Sequence, residues 1–266
     1  MIRKFWLTNS KNETKQLQSA SIFLNEPQGM GFSNALGTVQ YGEKLTYESA
    51  QNFEAVSGTV IFKDSSLADK YSKYHDFVTF LTFTPLTLHY QIPTSTPAEY
   101  TMDVAVNNLG KTEVKPDGLL QCEISMQCLS RWKGTEVSTT GTGSSYSISN
   151  DSHMAVGFLI TITGTSMKNP YFTLTKDSEL YGEAKFTGTF SKVQVDSNDS
   201  QQSVELETGG SPVANPLSKQ DLSISNGSIY VTFLKLARGT STLAIGMDSG
   251  SISSVTIKYS PLYRSV

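Results

Sequence analysis

The chain has 266 residues, which is enough for two domains that each bury a core of their own. Its 21 Lys and Arg residues nearly balance 24 Asp and Glu residues, and this balance excludes a basic nucleic-acid-binding protein. Frequent Thr, Ser, Gly, Val and Tyr favour strands and turns over helices. No run reaches the roughly 20 apolar residues of a transmembrane helix. The N-terminal segment turns polar at Thr8, before the apolar core of a signal peptide can form, so we expect synthesis in a cytoplasm.

The first half of the sequence predicts a β-rich domain with one helix. Residues 66–82 repeat apolar side chains at the i, i+4, i+7 spacing of an amphipathic helix, and Ser65 or Ser66 can cap it. Pro116-Asp117-Gly118 predicts the turn of a hairpin. Alternating apolar and polar residues predict strands at 1–10, 38–46, 54–63, 86–91, 100–109, 111–115 and 119–129.

The second half begins after a clear change in composition. Residues 134–152 are small and polar, which predicts a linker between a domain at 1–133 and a domain at 153–266. Short strands separated by Gly, Pro, Asn and Ser follow, and this pattern predicts a two-sheet sandwich. The predicted strands are 154–163, 171–174, 184–189, 192–195, 203–207, 228–236, 241–245 and 253–259.

No group of side chains has the spacing of a catalytic or metal site. His75, His89 and His153 are widely separated, and two cysteines are too few for the four-ligand zinc signatures. Cys122 and Cys128 lie in one predicted strand, roughly 20 Å apart at about 3.3 Å per residue. A disulfide needs Cα atoms within about 7 Å, so we predict free thiols. We therefore assign no catalytic, metal or cofactor-binding residue, and we expect no enzyme activity and no cofactor.

Two short motifs are interpreted as structural. Asp248-Ser249-Gly250 is like the serine motif of chymotrypsin-like proteases, but Met247 and Ser251 stand where glycines normally flank it. Gly141-Thr142-Gly143 begins a dinucleotide-binding string, but Tyr146 stands where the third glycine belongs. A turn and a linker are the better interpretations.

Carbohydrate chemistry stays open as an alternative. Glu205 and Glu207 alternate onto one face of a predicted strand, which indicates a solvated face, while a glycoside hydrolase needs two carboxylates at a set separation. Asp196 and Asp199 are in a polar loop. A lectin-like module needs aromatic rings that stack on sugars, and buried packing explains each candidate equally well. The candidates are Tyr146, Tyr171, Tyr181, Tyr230 and Tyr263.

Specific strings resemble one family. The strings at residues 2–9 (IRKFWLTN) and 29–32 (GMGF) resemble distal tail proteins of long-tailed, non-contractile phages that infect Gram-positive bacteria. The second half is similar more loosely, at Asn169-Pro170, 233–241 and 255–264. Further similar strings in the first half are 71–80, 85–88, 109–113 and 129–132.

This resemblance implies a structural role in a virion. It implies an N-terminal domain that forms a hexameric ring, joins the tail tube to the tail-tip hub protein, and leaves a lumen through which DNA passes. It implies a C-terminal galectin-like sandwich that faces receptor-binding proteins or cell-surface sugars. The chain has no room for an inserted sugar-binding module, and tail-like bacteriocins use the same part. The resemblance identifies no interface residue, and a stand-alone carbohydrate-binding module is the alternative function.

Overall fold

The computed structural model describes residues 3–31, 34–41, 44–51, 54–94, 96, 98–111, 118–221 and 233–266, with the backbone alone in 34–41 and 44–51. The chain divides into two compact domains, residues 1–134 with 263–266, and residues 135–262. The predicted fold class is confirmed, because strands dominate both domains and one α-helix occurs among the described residues. Within the same residues, no helix combines the length and the apolar character that crossing a membrane requires.

The first domain is built on one antiparallel sheet in the order β2-β1-β7-β8-β9-β6-β3, with β10 paired to β8 and β21. Strands β4 and β5 pair with each other in a separate two-stranded sheet. The elements are β1 (Lys4–Thr8), β2 (Thr14–Gln16), β3 (Ile22–Gln28), β4 (Asn34–Tyr41), β5 (Lys44–Gln51), β6 (Ala55–Phe62), α1 (Leu67–Leu81), β7 (Leu86–Gln91), β8 (Glu99–Lys111), β9 (Leu120–Cys128), β10 (Trp132–Lys133) and β21 (Leu262–Tyr263).

The sheet of the first domain closes into a barrel. The chain beyond β2 turns to meet β3 at the other end of the sheet, where the Leu24 N–H donates to the Leu17 carbonyl at 2.7 Å. Gln18 and Phe23 form a bridge at the same place. Closure removes open sheet edges, which are sites of aggregation. Alternate residues of each strand point inward and form the core, among them Phe5, Leu7, Val60, Leu88, Val104 and Ile124.

Helix α1 packs on the barrel as its apolar spacing predicts. Its buried residues are Phe77 and Phe80, and the Phe77 ring lies 5.7 Å from the Phe62 ring of β6. Ser66 caps the helix, because its Oγ accepts from the Asp69 N–H at 3.0 Å. The predicted helix at 66–82 is therefore confirmed, with Leu67 at its start left exposed.

The second domain is a sandwich of two antiparallel sheets, as predicted. One sheet has the order β11-β20-β13-β16-β17-β18, and the other has the order β12-β19-β14-β15. Side chains from both sheets, such as Ile160 and Phe172, share one buried core. The elements are β11 (Val137–Gly141), β12 (Ser145–Asn150), β13 (Leu159–Lys168), β14 (Tyr171–Lys176), β15 (Glu179–Lys185), β16 (Thr189–Asp196), β17 (Ser203–Thr208), β18 (Ser211–Pro212), a 3₁₀ helix (Pro216–Lys219), β19 (Gly239–Gly246) and β20 (Ser249–Tyr259).

The predicted linker at 134–152 is wrong. Most of it forms the edge strands β11 and β12, which pair with β20 and β19. An edge strand packs one face only, so the polar Ser and Thr of this segment fit the solvent side, while Ile148 is buried.

Several strand predictions also need correction. The strand predicted at 38–46 is two paired strands, β4 and β5. The strand predicted at 184–189 is the end of β15 and the start of β16. The strand predicted at 111–115 begins at Lys111, the last residue of β8, and the rest of it lies outside the described residues, as do Pro116 and Asp117 of the predicted turn and most of the strand predicted at 228–236.

Candidate functional site

The predicted catalytic and metal candidates are not brought together. His75 and His153 are exposed in different domains, and the described residues contain no cluster of three or more His, Cys, Asp or Glu side chains that could hold a metal. Cys122 and Cys128 are buried free thiols, as predicted, and burial raises the pKa of Cys128. Both cysteines are packing residues in the core of the first domain.

The protease-like motif is part of a strand end. Asp248 accepts a hydrogen bond from Asn169 Nδ2 at 2.6 Å, and its own N–H donates to the Lys168 carbonyl. Gly250 has φ of +107°, and a Cβ there would overlap the Ser166 carbonyl. The glycine thus permits close backbone packing. Gly141 is the last residue of β11, and Thr142-Gly143 lies in the connection to β12.

The paired carboxylates are held by a lysine. Lys192 Nζ lies 3.2 Å from Glu205 and 3.3 Å from Glu207, on the outer face of neighbouring strands. Burial lowers the pKa of Lys192, but its hydrogen bonds to both carboxylates together raise the pKa by more than burial lowers it. The pKa of Lys192 is therefore above its usual value. Asp199 forms an ion pair with Lys235 at 2.6 Å. Both observations favour the solvated strand face over a hydrolase.

The tyrosines have different surroundings. Tyr146 packs against the core with its hydroxyl buried, and this burial raises its pKa. Tyr263 packs edge to face on Tyr100 at 5.3 Å in the first domain. Tyr181 is exposed at 48%. Tyr171 lies on the outer face of β14, and Tyr230 lies outside the described residues.

The structure reveals a polar cluster that the sequence analysis missed. His89 Nδ1 lies 3.0 Å from Glu99 Oε1, and His89 Nε2 lies 3.0 Å from Thr8 Oγ1. Trp6 stacks on the imidazole with ring centroids 4.9 Å apart and planes 12° apart. The residues are on β1, β7 and β8, so only the strand register brings them together.

This cluster has the acid, imidazole and hydroxyl order of a catalytic triad, but its surroundings do not suit Thr8 as a nucleophile. Acyl transfer needs free hydrogen-bond donors aimed at the developing oxyanion. Thr8 pairs with both Thr14 and Thr87, so its strand is engaged on both sides. Trp6 covers one face of the imidazole. We interpret the cluster as a clamp across three strands of the barrel.

We expect His89→Ala to destabilise the first domain by about 1–2 kcal/mol, because it removes a stacked ring and two hydrogen bonds. The free energy of unfolding can be measured in urea by tryptophan fluorescence. Both tryptophans of the chain, Trp6 and Trp132, are in the first domain, so the signal reports on it alone. Glu99→Gln keeps an acceptor for His89 and serves as the control, with a loss under about 0.5 kcal/mol. Equal losses in the two variants would contradict the clamp.

A second feature is the hairpin of β4 and β5. Each strand has eight residues, about 26 Å at the usual rise, and no other described strand pairs with either. An isolated two-stranded sheet is marginally stable in water and offers two open edges to a partner. The hairpin is therefore the candidate assembly element of the first domain.

The hairpin leaves and rejoins the barrel at one place. Gln28 at the end of β3 pairs with Ser57 near the start of β6, and Gly29 touches the backbone of Ala55. Strands β3 and β6 are antiparallel neighbours that a short turn could join. Residues 30–54 are thus an excursion from a connection that the barrel could make without them.

Comparison with known families decides the identity of the first domain. Residues 4–129, from β1 to just beyond β9, match the family model described as the N-terminal domain of the distal tail protein. The first domain is that of the distal tail protein family. A comparison with curated proteins finds no match.

The distal tail protein fold extends over the whole chain. The solved structure of the phage SPP1 Dit protein (gp 19.1) is similar with a TM-score of 0.70 and 14% identity, over 97% of this chain and 98% of that one. A chain of the phage P2 baseplate, in its activated conformation with Ca, is similar with a TM-score of 0.58 and 12% identity over 100% of both chains. At these identities the likeness shows a shared fold, including the second domain, which the family model does not reach.

Proposed function

We propose that this distal tail protein forms a hexameric ring that joins the tail tube to the tail-tip hub and holds host-adhesion proteins. The observation that carries the proposal is the β4–β5 hairpin, an element with open edges inside the domain that matches the family. A hairpin that binds the next copy in a head-to-tail contact closes a ring when the rotation permits. The SPP1 relative is described as a paradigm of the hub adsorption apparatus in phages that infect Gram-positive bacteria.

The proposal places the protein at the tail tip of a virion after synthesis in the bacterial cytoplasm. Its partners are five further copies, the tail tube protein, the hub protein, and receptor-binding proteins or cell-wall carbohydrate near the second domain. We propose that the second domain is galectin-like, in keeping with its two-sheet sandwich. DNA is passing cargo: a net charge of −3 per chain avoids a strongly cationic lumen that would retain phosphates. Tight binding of duplex DNA by the ring at moderate salt would contradict this last point.

We further propose that the protein works without enzymatic activity. The carboxylates of the hydrolase alternative are bound by Lys192, and the His89 cluster is clamped between strands. Assays of polysaccharide turnover with the purified protein test this point. Turnover that Glu205→Gln or Glu207→Gln removes would overturn it.

The ring itself has a direct test. We expect the purified chain to have six times its mass of 29.0 kDa in native mass spectrometry, and particle images to show a ring with a central opening. A protein that stays monomeric at micromolar concentration, both alone and with its tail tube protein, would contradict the proposal.

A further inference from the structure

The outer faces of the two sheets in the second domain differ in chemistry. On the six-stranded sheet the outward residues are hydroxyls, amides and charges, such as Thr161 bonded to Gln194. On the four-stranded sheet, Phe172 and Leu174 point into the core, so Tyr171, Thr173 and Thr175 point outward. This second outer face is the one that presents a described aromatic ring in the middle of a sheet.

The ring of Tyr171 lies flat against its own sheet. Tyr171 pairs directly with Gly246 of β19, and a Cβ on Gly246 would overlap Cζ and Oη of the tyrosine. The glycine thus leaves a space that the ring fills, with one ring face against the backbone. Tyr171 is only half-buried, so its other face is turned to solvent.

Polar groups surround this ring in a fixed register. Lys185 pairs with Tyr171 across β15, and Glu183 pairs with Thr173 in the next row. Ala184 and Gly182 point into the core, which places both charged side chains on the outer face. Ala244 is opposite Thr173 on β19, and its small side chain leaves space for a ligand beside the Tyr171 ring.

This arrangement fits a pyranose sugar. An aromatic face carries negative charge density and attracts the C–H groups on the flat face of a sugar ring. The hydroxyl groups at the edge of the sugar ring need hydrogen-bond donors and acceptors around the Tyr171 ring. Lys185, Glu183 and Thr173 supply them. The exposed apolar side chain of Leu180 is opposite Thr175, two rows of outward residues away from Tyr171, so the surface next to the ring is mainly polar and favours a sugar over a protein partner.

We propose that Tyr171, with Glu183 and Lys185, forms a binding site for a hexose unit of a cell-surface polysaccharide. The site goes beyond the structural role of the ring and belongs to the second domain alone. It supplies the adhesion function of the proposed assembly with a direct contact to the host surface.

The test uses the full chain on an array of oligosaccharides built from glucose, galactose, rhamnose and N-acetylglucosamine, followed by titration of the best-bound hexasaccharide. We expect Tyr171→Ala to weaken binding about tenfold, and Tyr171→Phe to keep it within about threefold. We expect Gly246→Ala also to weaken it about tenfold, because a methyl group displaces the ring without removing it. Thr161→Ala on the other sheet is the matched control and should leave binding unchanged.

Each other outcome counts against the site. Absence of binding to every array sugar by the wild-type chain, binding that Tyr171→Ala does not weaken, or capture of a protein partner that Tyr171→Ala prevents would overturn it. The mass of each variant is measured in parallel. A wild-type chain that binds sugar but is not a hexamer counts against the ring alone. A wild-type hexamer that binds no sugar counts against this site alone.

Discussion

Replacing residues 32–53 by a short Gly/Ser turn is expected to convert the proposed hexamer into a monomer that still folds. The replacement removes both strands of the hairpin, which supply the intersubunit contact in the proposed ring. It leaves the pairing of Gln28 with Ser57 in place, so the barrel keeps all strands of its closed sheet. Native mass spectrometry reads the assembly, and tryptophan fluorescence in urea reads the free energy of unfolding of the first domain.

The matched control removes exposed apolar surface elsewhere. Leu180 and Tyr181 are 45% and 48% exposed in the second domain, and the double substitution to Ser should leave the hexamer intact. A hexamer that persists without the hairpin would show that other surfaces close the ring. Loss of the folded first domain would show that the excursion is part of the barrel.

Gly29→Ala is expected to destabilise the first domain by about 2–4 kcal/mol. Gly29 has φ of +80°, a conformation that costs a residue with a Cβ about 1–3 kcal/mol. The new Cβ would also overlap the carbonyl oxygen of Ala55, which is backbone and cannot rotate away. The substitution therefore pushes apart the two segments of the chain, at Gly29 and Ala55, that meet at the base of the hairpin. Urea unfolding followed by tryptophan fluorescence measures the loss.

Gly31 provides the control two residues away. A Cβ at Gly31 would meet no heavy atom within 4 Å, and Gly31→Ala is expected to change the free energy of unfolding by less than about 0.5 kcal/mol. The pair tests why the string at 29–32 begins with glycine. Similar stabilities for the two variants would mean that the base of the hairpin relaxes freely.

Elements with a strong period were predictable from the sequence. The apolar spacing at 66–82 and the strict alternation at 86–91 identify α1 and β7, because packing against the core selects those side chains directly. Strands β11 and β12 were missed because they are edge strands of the sandwich, where many small polar residues hide the alternation, and β2 was missed because it has only three residues. The hairpin of β4 and β5 was predicted as one strand, although Gly42-Glu43 between them is a sequence signal of a two-residue turn.

The candidate sites depend on register, which a single sequence does not specify. Thr8, His89 and Glu99 meet only because β7 lies between β1 and β8 with a particular alignment. Tyr171 was a candidate from its residue type, but its flat orientation comes from the glycine opposite it, 75 positions later in the chain. The spacing of Cys122 and Cys128 correctly predicted free thiols, because both lie in the single strand β9 and the distance along one strand is a local property.

The pairing of β10 with β21 has a consequence for how the two domains can evolve. The chain enters the second domain after Gly134 and returns to the first at Tyr263, and strands on either side of this interval are paired neighbours. Everything between them can be exchanged for another module whose two ends are a hairpin width apart. Recombination at two nearby points would thus replace the second domain and leave the first domain unchanged.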